Sequence, residues 1–270
     1  MNLSVLIYTK DEEIHLQRCL DSVSRSDDVV VVDSFSTDRT REIAERAGAR
    51  FIQHEFSQFG AQITWSLENV RLSNDWALVL DADEIVPPEL WQEMLQKTAA
   101  AAPGTSAFRV RRRFHWRGKW LPRSSQYPAW LIRLVRVGKV RYFNEGHSDR
   151  QEVDGVVELL DHDLIDENLK GLEAFRRRQK KYAAQEAKFE LEIQTRLDFK
   201  KWFSGNPIEC RMEAKKLMRL MPARGFLFWM YLYLYRMGFL EGSRGWELCL
   251  EKARYQSEIA RQKREQNGKC

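Results

Sequence analysis

The four cysteines of this 270-residue chain, Cys19, Cys210, Cys249 and Cys270, are scattered with no short pairing, which excludes both a zinc-binding spacing and a disulfide framework. A reducing cytoplasm is the setting this implies. No apolar run approaches the roughly 20 residues needed to span a bilayer. The basic-then-apolar start of a secretion signal is missing as well. The first apolar run, Leu3–Tyr8, is followed by Thr9-Lys10-Asp11-Glu12-Glu13 without a glycine, so a glycine-rich phosphate loop is absent there. Acid is absent from Arg109 to Arg141, a stretch that holds eleven Lys or Arg. Such a stretch suits nucleic acid, phosphorylated ligands or anionic lipid, or a pair of strands with solvated basic faces. Trp116, Trp120, Tyr127 and Trp130 are interleaved with it and suit stacking on bases or sugars.

What remains is the composition of an ordinary folded protein, 43% hydrophobic and 31% charged with a net charge of +5, long enough for one large domain or a domain with an appendage. The first hundred residues alternate short apolar runs with helical patterns. Leu3–Tyr8, Val29–Asp33, Ala49–Gln53 and Trp76–Leu80 read as strands. Glu12–Val23 reads as a helix with Leu16, Leu20 and Val23 on one face; Ser36 is placed to cap a second helix ending at Gly48, and Pro87-Pro88 opens a third over Glu89–Ala100. This rhythm predicts a doubly wound α/β sheet whose loops gather at its carboxyl edge. From Ala107 to about Leu160 the pattern turns β-rich, and from Lys170 onward it turns helical.

The run Trp76–Glu84, WALVLDADE, carries the chemistry. A buried strand delivers Asp81, Asp83 and Glu84 at its carboxyl end, where ligands bind in open α/β sheets. Two acids spaced by one residue can hold Mg²⁺ or Mn²⁺ while a nucleotide diphosphate fills the other positions; a solvated loop or a helix cap is the alternative. The topology brings two further strand ends to the same crevice, where Thr9 and Asp33 are placed to hydrogen-bond a base or ribose.

Five segments resemble the family-two glycosyltransferases of the GT-A fold, in the bacterial branch of lipopolysaccharide-core and exopolysaccharide enzymes. They are SVLIYTKDEE at Ser4–Glu13, VVVVDSFSTDRT at Val29–Thr40, VLDADE at Val79–Glu84, YPAWLIRLVR at Tyr127–Arg136 and NEGH at Asn144–His147. The resemblance implies a GT-A type doubly wound mixed sheet flanked by helices over residues 1–165, with a helical C-terminal appendage over 166–270. It also implies a nucleotide-diphosphate sugar donor, with Thr9, Asp11 and Asp33 near the nucleotide, Asp81 and Asp83 at the metal–diphosphate, and Asp83 as the direct ligand of Mg²⁺ or Mn²⁺. One departure is Gln62-Ile63-Thr64-Trp65, where members often carry an Arg-Asn pair in the helix before the fourth strand.

Such chemistry needs a base for the acceptor hydroxyl and cationic help for the departing diphosphate, and single displacement inverts the anomeric centre. Glu145 and Asp149, beside His147, are the candidate bases; Arg133 and Arg136 are candidates to neutralise diphosphate, and His162 is a candidate further metal ligand, with turn, strand-surface and hydrogen-bonded structural roles as the alternatives. Gly225–Tyr235, GFLFWMYLYLY, is too short to span a membrane and suits its interface, with Arg219, Arg224 and Arg236 at its flanks; a core helix or a dimer contact is the alternative. These features predict a peripheral protein at the inner face of the cytoplasmic membrane, with a lipid-linked or polysaccharide acceptor, an anionic membrane surface as partner and no nucleic acid. The rivals are a nucleotidyltransferase and a degenerate transferase domain kept as a membrane or nucleic-acid binding module.

Overall fold

The computed structural model describes residues 2–145, 148–193, 198, 207–221 and 223–267, with the side chains at 144, 145, 148, 149, 207–212, 215 and 267 outside the description. The chain divides into two compact units, Met1–Asn144 with Ser148–Gly171, and Glu145–His147 with Leu172–Cys270.

In the first unit β1 (Ser4–Thr9), β2 (Asp28–Asp33), β3 (Arg50–Gln53) and β4 (Trp76–Asp81) lie parallel in the order β3-β2-β1-β4. The sheet continues through β8 (Ala129–Arg136), β6 (Thr105–Trp116), β11 (Val156–Glu167) and β5 (Glu84–Ile85). β8 runs antiparallel to both β4 and β6, so β6 points the same way as β4 and ends at the same edge. β7 (Lys119–Trp120) folds back on β6, and β9 (Val140–Glu145) pairs separately with β10 (Ser148–Val153). The result is the mixed α/β sheet that the sequence implies.

The central strands are apolar on both faces because helices cover both. One layer joins Val5, Ile7 and Leu80 to α1 (Leu16–Ser22), α2 (Thr40–Arg46) and α4 (Pro88–Ala99) through Leu16, Leu20, Ile43, Leu90 and Trp91. The other joins Leu6, Val32 and Val79 to α3 (Phe59–Asn69) through Ile63 and Leu67. α1 begins later than its apolar spacing predicts, and ahead of it the Glu12 and Glu13 N–H groups donate to Thr40 Oγ1 at 2.9 Å and Asp38 Oδ2 at 3.0 Å. Ser36 does not cap α2. It turns back to Asp33, and the Thr40 N–H donates to Asp38 Oδ1 at 3.0 Å.

The second unit contains α5 (Gly171–Glu192), α6 (Pro207–Leu220), α7 (Arg224–Met230), a π-helical turn at Tyr231–Tyr235, a 3₁₀ turn at Gly238–Glu241 and α8 (Gly242–Asn267). α7 and α8 meet at Gly225, where a Cβ would come within 2.7 Å of the Ala253 carbonyl oxygen, so only glycine allows the approach. Arg224 is buried and forks onto Glu190 at 2.8 and 3.0 Å while also donating to Gln256, and Lys263 joins Glu190 at 2.9 Å. Arg219 lies 3.6 Å from both Glu186 and Glu190. These two arginines are therefore internal counter-charges rather than the lipid-facing flank that their sequence position suggests. Among the described residues no helix is long and apolar enough to cross a membrane.

Candidate functional site

The carboxyl ends of β1 and β2 are knitted together before any ligand arrives. Thr9 Oγ1 donates to Asp33 Oδ1 at 2.8 Å, the Ser36 N–H donates to Asp33 Oδ2 at 2.8 Å, and Ser36 Oγ also donates to Asp33. Asp33 is fully buried, so its carboxylate orders the two loops by accepting their donors. Asp11, at φ 52° in the left-handed region, donates its N–H to Ser36 Oγ and accepts the Thr37 N–H at 2.8 Å. Thr9, Asp11 and Asp33 thus share one corner, with Thr9 and Asp33 bonded directly.

His15 completes this corner. It is buried, and its Nε2 accepts the Leu169 N–H at 2.7 Å, which leaves the proton on Nδ1 to donate to Glu12 Oε2 at 2.6 Å. The other Glu12 oxygen receives Lys170 Nζ at 2.6 Å. The segment after β11 is thereby tied to the loop after β1, an anchor that a lone histidine in sequence does not reveal.

The acidic corner is built around an arginine. Between Phe108 and Arg109 of β6, the β8 partner jumps from Leu134 to Ile132, which leaves Arg133 as the extra residue of a bulge. Bulges re-aim side chains. Arg133 leaves the in–out alternation of β8, is 7% exposed, and its Nη2 donates at 2.6 Å to both Asp81 Oδ2 and Glu84 Oε1. Glu84, 1% exposed, accepts the Asp81 N–H on its other oxygen at 2.9 Å. Burial pushes the Glu84 carboxyl up to about 8 against the pull of Arg133. Burial also raises Asp81, opposed by Arg133 and reinforced by the charge of Asp83. Beneath them the Cys19 thiol is raised by its own burial and by the three carboxylates, so it stays protonated and inert.

Asp83 accepts Asn168 Nδ2 at 2.8 Å through its side chain and the Glu167 N–H at 3.0 Å through its carbonyl, so the end of β11 and the residue after it fix its orientation. Asp81 and Asp83 offer hard oxygen and no soft ligand, the donor set that Mg²⁺ or Mn²⁺ takes together with phosphate oxygens and water. The residues present fit such an ion. Among the described residues there is no cluster of three or more His, Cys, Asp or Glu arranged to hold a metal by protein ligands alone.

Two candidates from the sequence do not reach this corner. Arg136 pairs in register with Trp76 at the start of β4, its guanidinium 4.9 Å from that ring, and Trp76 lies five residues or roughly 17 Å from Asp81 along the strand. It serves the opposite edge of the sheet. His162 faces α4, where its Nδ1 lies 2.8 Å from Glu93 Oε2 and its N–H donates to the same oxygen at 2.9 Å, so it joins a strand to a helix rather than a metal group. Arg133 does reach the corner, but its charge is already engaged by Asp81 and Glu84. Glu145 ends β9 and Asp149 lies in β10; the side chains of both, and His147 entirely, fall outside the described residues. In α3, Gln62 meets His54 Nδ1 at 2.9 Å and Thr64 exchanges two hydrogen bonds with the Tyr142 backbone, so both departures from the Arg-Asn pattern hold the scaffold.

The model of the family described as Glycosyl transferase family 2 matches residues 4–156. The lipopolysaccharide core biosynthesis glycosyltransferase LpsC of Rhizobium meliloti (strain 1021) is 32% identical over 145 residues, 52% of this chain and 53% of that protein. An uncharacterized glycosyltransferase of Rickettsia bellii (strain RML369-C) is 39% identical over 93 residues, 34% of this chain and 31% of that one. The chain spans about half the length, or less, of these curated relatives. Among solved structures, glucosyl-3-phosphoglycerate synthase from Mycobacterium tuberculosis in complex with Mn²⁺, UDP and glucosyl-3-phosphoglycerate is similar at 24% identity and a TM-score of 0.36, over 47% of each chain.

Proposed function

Because the chain belongs to glycosyl transferase family 2, we propose that it is an inverting glycosyltransferase, moving a sugar from a nucleotide-diphosphate donor to a lipid-linked or polysaccharide acceptor of the bacterial cell envelope. The observation that carries this reading is the convergence of Asp81 and Asp83 at the carboxyl edge of β4, braced by Arg133 and Asn168. Asp83, with Asp81, would hold Mg²⁺ or Mn²⁺, which supplies positive charge to the departing diphosphate when bound. Arg133 holds Asp81 and Glu84 in one orientation, so this edge is ordered in advance of the donor. The loops of Thr9, Asp11 and Asp33 form the wall beside it, and that wall suits the nucleotide. A carboxylate in the Glu145–Asp149 loop takes the proton from the acceptor hydroxyl as it attacks the anomeric carbon.

The helical unit supports work at a membrane surface. Phe226 is 61% exposed, Tyr235 78% and Leu240 58%, more apolar surface than a solvated helix hairpin needs. Turnover of a panel of nucleotide sugars in the presence of Mn²⁺ tests the proposal. Release of nucleoside diphosphate from at least one donor, lost in Asp83→Asn, is the expected result; no release from any donor refutes it.

A further inference from the structure

Beyond the bulge at Arg133, the alternation of β6 places Arg109, Arg111, Arg113 and His115 on one face of the strand. Two indoles flank them. Trp130 of β8 stands opposite Arg111 with its ring 5.5 Å from that guanidinium, and Trp120 of β7 stands opposite His115 with its ring 4.8 Å from Arg113. Asp163 of β11, 6% exposed, accepts Arg111 Nε at 2.7 Å, Arg113 Nε at 2.8 Å and the Tyr127 hydroxyl at 3.1 and 3.0 Å. That single carboxylate orients two guanidinium groups without neutralising three. Arg109 is exposed and forms no ion pair among the described residues, and Trp130 is 38% exposed.

The strip also has a defined place. Glu84 of β5 is in register with Asp166 of β11, and Asp166 with Phe114 of β6, so the acidic corner and the end of the strip are two strand spacings apart, about 10 Å. Arg113 lies at that end, while Arg111 and Arg109 stand roughly 10 and 17 Å from Phe114 along β6, so the strip spans a saccharide of several rings. Without a bound cation, a nucleic acid backbone would carry its charge on past the strip into Asp81 and Asp83, which repel it, whereas a ligand with one anionic group would not.

We infer that this face binds a saccharide bearing a carboxylate or phosphate a few rings from the accepting residue, with the arginines forking the anion and the indoles covering sugar C–H faces. That this saccharide accepts the transferred sugar rests on the transferase reading; the binding itself does not. Guanidinium forks match both anions, and an arginine stacked on an aromatic ring keeps its in-plane N–H groups free to donate.

Calorimetric titration of the whole protein, with chelator present and no donor, tests the inference with three disaccharides of one backbone: uronic acid, phosphorylated and neutral. At least one anionic member is expected to bind roughly tenfold tighter than the neutral one, the scale of one charge-assisted contact. Arg109→Gln, at an exposed position outside the Asp163 network, and Trp130→Ala, whose ring lies on Arg111, are each expected to weaken that binding at least about threefold, with thermal unfolding unchanged in Arg109→Gln. Equal binding of all three sugars, unchanged affinity in both variants, or a single-stranded oligonucleotide that outcompetes the sugars would overturn it. Nucleotide-sugar turnover without anion preference sinks this inference alone; anion preference without turnover sinks the transferase reading alone.

Discussion

Replacing Arg133 by methionine removes the one cation shared by Asp81 and Glu84 while keeping most of the side-chain volume. Arg133 is 7% exposed and Glu84 1% exposed, so water is not at hand to replace the charge lost beside Glu84. Breaking a buried ion pair from one side costs about 3–5 kcal/mol. The lower end applies here, because Glu84 is already held up to about 8 by burial and can take a proton instead. A loss of about 3 kcal/mol corresponds to a fall in Tm of roughly 6–12 °C for a domain of this size. Urea and thermal denaturation at pH 7 with chelator present measure it. The companion substitution Glu84→Gln removes the stranded acid, so Arg133→Met/Glu84→Gln should recover more than about 1 kcal/mol of the loss, as residues in direct contact do in double-mutant cycles. Additive effects, or a single-variant loss below about 1 kcal/mol, would mean that Arg133 is solvated and that the bulge does not aim it at the corner.

Stability should also depend on pH through Glu84. Its carboxyl is raised in the folded state, so the folded protein holds that proton more tightly than the unfolded chain; the contribution is full below about 4.5 and is lost as pH rises toward about 8, by up to ~1.4 kcal/mol per pH unit. Glu84→Gln should flatten this slope in urea titrations between pH 5 and 8, and an unchanged slope would assign it to other groups. Glu145→Gln should lower the single-turnover rate by roughly a hundredfold or more with unaltered donor affinity, the scale of a lost general base; a normal rate would move that role to Asp149. On the helical unit, Phe226→Ser/Tyr235→Ser/Leu240→Ser should free the protein from anionic vesicles in flotation without lowering Tm, since all three side chains are largely exposed. Trp229→Ser should instead lower Tm, because Trp229 packs 5.4 Å from Trp246 and 5.1 Å from Tyr233; retention of the triple variant on vesicles would remove the membrane reading.

The parallel half of the sheet is legible in the chain because β1, β2 and β4 are continuous apolar runs ending in Thr9, Asp33 and Asp81, and strand direction then forces those ends together. The antiparallel half is less so. Nothing in Ala129–Arg136 marks a bulge by glycine or proline, and simple alternation mis-aims every side chain beyond it; the available signal was a charge inside the apolar run Leu131-Ile132-Arg133-Leu134-Val135. Arg136 has the same residue type and the same strand, yet it sits at the wrong end, which only the antiparallel pairing with β4 decides. Ser36 reads as a helix cap by type, but the buried Asp33 competes for its hydroxyl and N–H and wins. His15 and Asn168 carry no local pattern at all, because their partners are 154 and 85 residues away.

The most direct test of the central claim is calorimetric titration of the protein with UDP and other nucleoside diphosphates, with and without Mn²⁺, in the unaltered chain and in Asp83→Asn. If Asp81 and Asp83 bring a divalent cation to the diphosphate, at least one nucleotide binds at least about tenfold tighter with Mn²⁺ present, and Asp83→Asn abolishes that gain while the fold is kept. Equal affinity with and without Mn²⁺, or a full metal effect in the variant, would contradict it.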